Sequence, residues 1–192
     1  MLRSEAPFDY PPSLQMYMVS GKQFVQQNPR YHVVCTGIVV FNDVGKLLLV
    51  RRAANEKAYP NMWEIPGGMV DDTDETIIHG AIRELKEETG LTATKVVRKV
   101  GEMEFTSDKK DGSEVRWIKH IFEMEFEDID ALVLDPVEHQ QHLFATEDEI
   151  GSDRVGDIEL KYISPPNKVI KLDAFRSRNK PVSTSVNGIQ VV

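Results

Sequence analysis

Residues 75–89 carry the pattern that most restricts how this chain can fold. Ile78, Ala81, Ile82 and Leu85 recur at three- and four-residue steps, the spacing that lines one face of an α-helix with apolar groups. Thr73 and Asp74 precede the pattern as N-cap residues, and Gly90 follows as a helix-ending glycine with Leu91 packing back. At about 100° per residue, Glu84 and Glu88 stack one turn apart beside the apolar stripe, with Glu87 adjacent. The stripe needs a partner surface, so the three carboxylates crowd the edge of a half-buried helix. Like charges one turn apart destabilise a helix by about a few tenths of a kcal/mol. Two readings are open on the helix alone: a solvated acidic face relieved by Arg83 and Lys86, or a divalent-cation site built from hard oxygen ligands.

The partner surface is a sheet. The Val- and Ile-rich run 31–41, the turn-like Asn42-Asp43-Val44-Gly45 and the run 46–51 predict a strand pair. Residues 95–106 and 114–126 flank a polar loop with Asp111-Gly112 and predict a second pair, and 139–145 predicts a further strand. A short helix is expected at 21–27 and another at about 167–175. Strands mixed with two substantial helices point to an α/β (α+β) sandwich. The length of 192 residues suits one domain with terminal additions: an N-terminal extension (1–30), the domain (31–177) and a polar, flexible tail (178–192) whose last residues can add an edge strand.

Charge and composition narrow the function. A net charge of −8 disfavours a nucleic-acid polymer or an anionic membrane as partner, although divalent cations can bridge acidic side chains to phosphates. No apolar run approaches a membrane span. The N-terminus lacks a secretory pattern, and Glu5 and Asp9 interrupt the acid-poor composition of a transit peptide. The one cysteine, Cys35, lies in an apolar run and reads as a buried thiol. A cytoplasmic protein is expected.

Just before the acidic helix, Trp63-Glu64-Ile65-Pro66-Gly67-Gly68 closes an apolar stretch with two glycines. Glycines there let backbone approach a ligand and offer carbonyl oxygens to a metal. Gly67-Gly68, Glu75 and the run Arg83-Glu84-Leu85-Lys86-Glu87-Glu88-Thr89-Gly90-Leu91 together resemble the signature of the Nudix hydrolase family. One departure lies in the loop: six residues separate Gly68 from Glu75, where the family pattern has five. The resemblance extends over residues 31–175.

That resemblance implies an α/β/α sandwich with a mixed central sheet, and cleavage of a pyrophosphate bond in a nucleoside diphosphate linked to another group. It implies that Glu84, Glu87, Glu88 and the Gly67 carbonyl hold Mg²⁺ or Mn²⁺, and that Glu75 pairs with Arg83 while Gly68 shapes the loop. Glu138-His139-Gln140-Gln141-His142-Leu143-Phe144 resembles a stretch of the MutT branch, which makes Glu138 a supporting ligand or base. Glu147 and Glu149 compete for that role, with helix capping as their alternative. His139 and His142 are expected to face solvent. Pro165-Pro166-Asn167 resembles a MutT segment whose asparagine reads a purine edge, though Asn167 equally suits an N-cap. Arg51 and Arg52 are candidates for phosphate contacts, or for surface ion pairs.

The expected substrate is a small nucleotide, with clean-up of oxidised nucleotides as one form. ADP-ribose, dinucleoside polyphosphates and diphosphoinositol polyphosphates are alternatives. A different class is a Nudix domain that binds a nucleotide without cutting it, as a sensor. Pairing of two copies through a sheet or through residues 1–30 is a further expectation.

Overall fold

In the computed structural model, residues 8–178 are described. A 3₁₀ turn (Pro12–Tyr17) and helix α1 (Gly21–Gln27) lead into strand β1 (Val33–Val40). Then come β2 (Leu47–Arg52), β3 (Trp63–Glu64), helix α2 (Ile77–Thr89), and the long strands β4 (Ala93–Asp108) and β5 (Glu114–Phe126). After them follow β6 (His139–Ala145), α3 (Glu147–Gly151), the short pair β7 (Arg154–Val155) and β8 (Ile158–Glu159), and α4 (Pro165–Arg178).

Two three-stranded sheets result. In the first, β5 is central, parallel to β1 and antiparallel to β4. In the second, β2 is central and antiparallel to both β3 and β6. This corrects the expected pairing of β1 with β2. Their connection is a tight turn, with Gly45 N–H donating to the Asn42 carbonyl at 2.9 Å, and only the Phe41–Leu47 bridge joins them. A short turn guarantees proximity, not a ladder. Each strand is buried on both faces and takes neighbours in a sheet covered on both sides.

The alternation of strand residues shows that covering. Val34, Ile38 and Val40 of β1 and Leu48 of β2 join Ile77, Ile78, Ala81 and Leu85 of α2 in one apolar cluster. Val39 of β1 and Leu47 and Leu49 of β2 join Ile170 and Ala174 of α4 in another. Successive side chains point to opposite faces, so the sheets lie between α2 and α4 in a mixed α+β sandwich. The expected strand at 139–145, the β4–β5 hairpin and the helix at 21–27 are all present. Helix α2 begins two residues later than expected, capped by Thr76, whose hydroxyl accepts from His79 N–H at 3.2 Å. It ends on Gly90 in the left-handed conformation, φ 70°. Helix α4 begins earlier, at Pro165, because a first-turn proline forfeits no intrahelical hydrogen bond. The edge strand expected near the C-terminus lies outside the described residues. Among the described residues, no helix is long and apolar enough to cross a membrane.

Residues before β1 add to the core. Phe8, Leu14 and Tyr17 are buried in the α2-side cluster. The His120 ring, 3% exposed, lies 5.0 Å from the Tyr17 ring and 5.1 Å from that of Phe24. Neither of its nitrogens has a hydrogen-bond partner among the described residues. Burial, helped by the charge of Lys99 and opposed by Glu102, pushes its pKa down to about 4. Cys35 is also buried, and burial pushes its thiol up to about 11.

A histidine whose pKa is depressed on folding stabilises the fold fully above its ordinary value near 6.5. That contribution is lost as pH falls from about 6.5 to about 4, where the unfolded chain is protonated and the folded chain is not. The expected loss is roughly 3 kcal/mol. Urea unfolding across this window should show a shallower slope in His120→Phe than in the unaltered chain; equal slopes would contradict the assignment.

Candidate active site

The loop after β3 lies along the edge of β1 that β5 leaves free. The carbonyls of Pro66 and Gly68 accept from Ile38 and Thr36 N–H, each at 2.8 Å, and Val70 N–H donates to the Val34 carbonyl at 3.0 Å. Gly67 has φ 139°, and a Cβ there would come within 2.2 Å of the Thr36 carbonyl oxygen. A Cβ on Gly68 would come within 2.6 Å of a Glu84 carboxylate oxygen. Only backbone fits between strand and helix, which brings α2 against the loop. Gly67 N–H donates to Glu88 Oε2 at 2.8 Å.

Arg83 ties the loop to the helix. Its Nε and Nη2 donate to the two Asp74 carboxylate oxygens at 2.9 Å each, and Nη2 also donates to the Met69 carbonyl at 2.9 Å. Its Nη1 reaches Glu84 at 2.9 Å and Glu87 at 2.7 Å. The expected partner, Glu75, takes no part: its side chain is 77% exposed, with His79 at 3.9 Å. This is a correction with a plain cause. The extra loop residue leaves five residues between Gly68 and Asp74, where Glu75 was expected, and a turn with Asp74 N–H on the Asp71 carbonyl aims its carboxylate inward. Asp74 is therefore not the helix cap. Gly80 leaves it room, since a Cβ there would lie 2.8 Å from Asp74 Oδ2. Burial raises the Asp74 pKa, but Arg83 and the Asp71 N–H outweigh it and hold the carboxyl low.

The three glutamates differ in environment. Glu87 is exposed, Glu84 is largely covered, and Glu88 is 4% exposed. Burial raises the Glu84 pKa against the pull of Arg83. Burial, with Glu64 and Glu138 adding to it, pushes Glu88 up to about 8 despite His139 and the Gly67 N–H. Glu138 ends the loop before β6 with an exposed side chain. One oxygen each of Glu88 and Glu138 and a ring nitrogen of His139 lie within 4.8 Å of one another. A buried carboxylate short of positive charge, beside further carboxylates, fits a divalent cation.

Other expectations fare differently. His142 is exposed, but His139 is 2% exposed, not solvent-facing. Its Nε2 lies 3.5 Å from Glu64, a residue that the sequence reading missed. Glu64 is 5% exposed; burial raises its pKa, but His139, Lys119 and Arg52 together bring it down to about 2. Its signal was a charged residue inside the apolar run that ends at Pro66. Arg52 is held by ion pairs with Glu64 at 2.7 Å and Glu56 at 2.9 Å, while Arg51 Nε donates to the Asn61 carbonyl at 3.2 Å. Asn167 is not a cap. It lies in the first turn of α4, buried, and accepts from Nζ of the fully buried Lys171. Burial drives Lys171 down to about 7. Glu149 completes a capping box with Thr146, as expected.

Beside the carboxylates a cavity of ≈ 260 Å³ is lined by Tyr59, Glu64, Met103, Phe105, Lys119 and Asn167, among others. It draws on both sheets and on α4.

Residues 31–163 match the NUDIX domain. The chain belongs to the Nudix family. It is 32% identical over 117 residues to the RNA pyrophosphohydrolase of Wolbachia pipientis wMel, covering 55% of this chain and 68% of that one. It is 52% identical over 46 residues to an m7GpppN-mRNA hydrolase of Danio rerio, covering 24% of this chain and 15% of that one. A match to the RNA pyrophosphohydrolase of Bartonella tribocorum spans 39% of that protein's length, so the chain covers well under two thirds of several curated relatives. The MutT protein of Methanosarcina mazei Go1 shares the fold with a TM-score of 0.58 at 25% identity, over 78% of this chain and 96% of that one.

Because Asp74 and not Glu75 holds Arg83, their neutral variants should separate cleanly. Asp74→Asn is expected to lower unfolding free energy in urea by about 2 kcal/mol, and Glu75→Gln to change it by less than about 0.5 kcal/mol. Equal effects would contradict the assignment, and a larger effect of Glu75→Gln would return the role to Glu75.

Proposed function

We propose that the chain is a divalent-metal-dependent pyrophosphohydrolase acting on a nucleoside di- or triphosphate. The observation that carries this reading is Glu88: a buried carboxyl with an oxygen of Glu138 and a His139 nitrogen within 4.8 Å, Gly67 N–H as its hydrogen-bond donor, and a pKa raised to about 8. Glu84, Glu87, Glu88, Glu138 and the Gly67 carbonyl are the oxygen donors that would hold Mg²⁺ or Mn²⁺. Such an ion neutralises pyrophosphate oxygens and makes a water acidic enough to lose its proton near neutral pH. Arg83 keeps Glu84 and Glu87 in place through its hydrogen bonds. Where Glu138 does not bind the ion, its exposed carboxylate is the group that would accept the proton of the attacking water.

The adjoining cavity supplies substrate contacts of two kinds. Phe105, Tyr59 and Met103 offer an apolar wall for a base, and the Lys119 ammonium on the same wall offers a charge to phosphate. In this reading Lys119 takes the role assigned from sequence to Arg52, whose guanidinium is occupied by Glu56 and Glu64.

A second reading, removal of a pyrophosphate from an RNA 5′ end, has one observation in its favour. The Phe105 ring stacks on Trp117 with centroids 5.6 Å apart and planes 11° apart, which extends the cavity wall into a platform for a second base. The names of the Wolbachia and Danio relatives point the same way.

Release of phosphate and pyrophosphate should be measured over a panel of nucleotides and a 5′-triphosphorylated oligonucleotide. Turnover is expected with millimolar Mg²⁺, and none with excess chelator. Glu84→Gln should lower turnover by several orders of magnitude with the fold intact. Full activity in chelator, or binding without turnover across the panel, would defeat the proposal; the latter would indicate a sensor.

A further inference from the structure

We propose that His139 supplies a nitrogen ligand to the divalent cation of this site. The donor set then mixes imidazole with carboxylates and favours first-row transition ions over Mg²⁺. The inference rests on the metal-dependent reading above and adds a ligand to it.

The first support is burial without satisfaction. The His139 ring is 2% exposed, and neither nitrogen makes a hydrogen bond among the described residues. Buried imidazoles ordinarily find a donor or an acceptor, so an unsatisfied ring needs a reason. Its position supplies one: a ring nitrogen sits within 4.8 Å of oxygens of both Glu88 and Glu138. Three ligand atoms of two kinds, two carboxylate oxygens and an imidazole nitrogen, thus converge on a small volume.

The second support is the carboxylate behind the ring. Glu64 Oε1 lies 3.5 Å from Nε2, an ion-pair distance without hydrogen-bond geometry. Metal-binding histidines commonly give their other ring nitrogen to a carboxylate, which fixes the tautomer and turns a lone pair toward the ion. Glu64 is well suited to this, being buried and anchored by Arg52 at 2.7 Å.

The third support is the backbone. Along a regular strand, Glu138 and His139 would point to opposite faces. Glu138 precedes β6, and the β2–β6 ladder shifts register just after it, between Arg52↔His139 and Arg51↔Gln141. Such irregularities re-aim side chains beside functional sites. Ala53 N–H on the Glu138 carbonyl at 2.8 Å and His139 N–H on the Asp135 carbonyl at 2.9 Å pin the two residues.

The competing arrangement is an imidazolium held between Glu64 and Glu88 with no part in metal binding. Mg²⁺ prefers oxygen ligands, whereas imidazole suits later first-row ions, so the two arrangements differ in metal preference and in spectroscopy.

The test uses the full chain labelled with ¹⁵N at histidine only, loaded with substoichiometric Mn²⁺ and examined by pulsed electron paramagnetic resonance. The expected result is a ¹⁵N coupling that disappears in His139→Gln. The ratio of Mg²⁺ to Co²⁺ dissociation constants should fall by about tenfold in the same variant. Absence of ¹⁵N coupling with Mn²⁺ bound, failure to bind Mn²⁺, or a coupling that survives in His139→Gln would each overturn the proposal. Should the variant not fold, the spectrum of the unaltered chain against that of His142→Gln decides, because the coupling must survive loss of the exposed histidine. Coupling without hydrolysis of any nucleotide would uphold the ligand and remove the pyrophosphohydrolase reading.

Discussion

The Arg83 guanidinium makes five hydrogen bonds, to Asp74 twice and once each to Met69, Glu84 and Glu87. No neutral side chain could replace it, because four of those acceptors are carboxylate oxygens that would otherwise repel one another across a partly buried surface. Charge-assisted, bidentate geometry makes the Asp74 contact the strongest of the set. The loop is fixed to the helix by that contact, and Glu84 is fixed beside Gly68. Glu88 lies deeper in the protein and accepts instead from the Gly67 N–H.

The sandwich determines where this can happen. β2 is buried on both faces over Leu47–Val50 and β5 over His120–Met124, so the middle of the sandwich leaves no open face for a polar site. The seam between sheets is different. There β1 ends its pairing and accepts the glycine loop, and β3 brings Glu64, β5 brings Lys119 and β6 brings His139. Charged groups gather at the seam because a ladder cannot cover it, and Glu64 meets Arg52 there at 2.7 Å.

Much of this was legible in the sequence. The apolar stripe of α2, its terminal Gly90, the β4–β5 hairpin, β6 and the capping box at Thr146 all follow from local spacing and side-chain chemistry. What was not legible depends on reach through space. Counting back from Arg83 selects Glu75, whereas the loop's turn hands the contact to Asp74. A histidine in an alternating polar run reads as solvent-facing, but His139 is buried beside Glu64, which lies on a strand 75 residues earlier in the chain. Glu64 and Lys171 are charged residues in buried places, and only their distant partners explain them. Asn167 has the chemistry of a cap, yet Lys171 one turn later claims its carboxamide oxygen.

Gly80 never approaches the carboxylates that would hold a metal, and it belongs to the apolar flank of α2. Even so, the Asp74 carboxylate occupies the space where its side chain would be. Of the helix positions that govern this site, one is therefore governed by emptiness: a methyl group there would displace the anchor of Arg83, and the disturbance would reach Glu84 and Glu87 through the guanidinium. The helix thus carries two kinds of constraint, one written in acidic side chains and one in the lack of any side chain, and the second is invisible to a search for reactive groups.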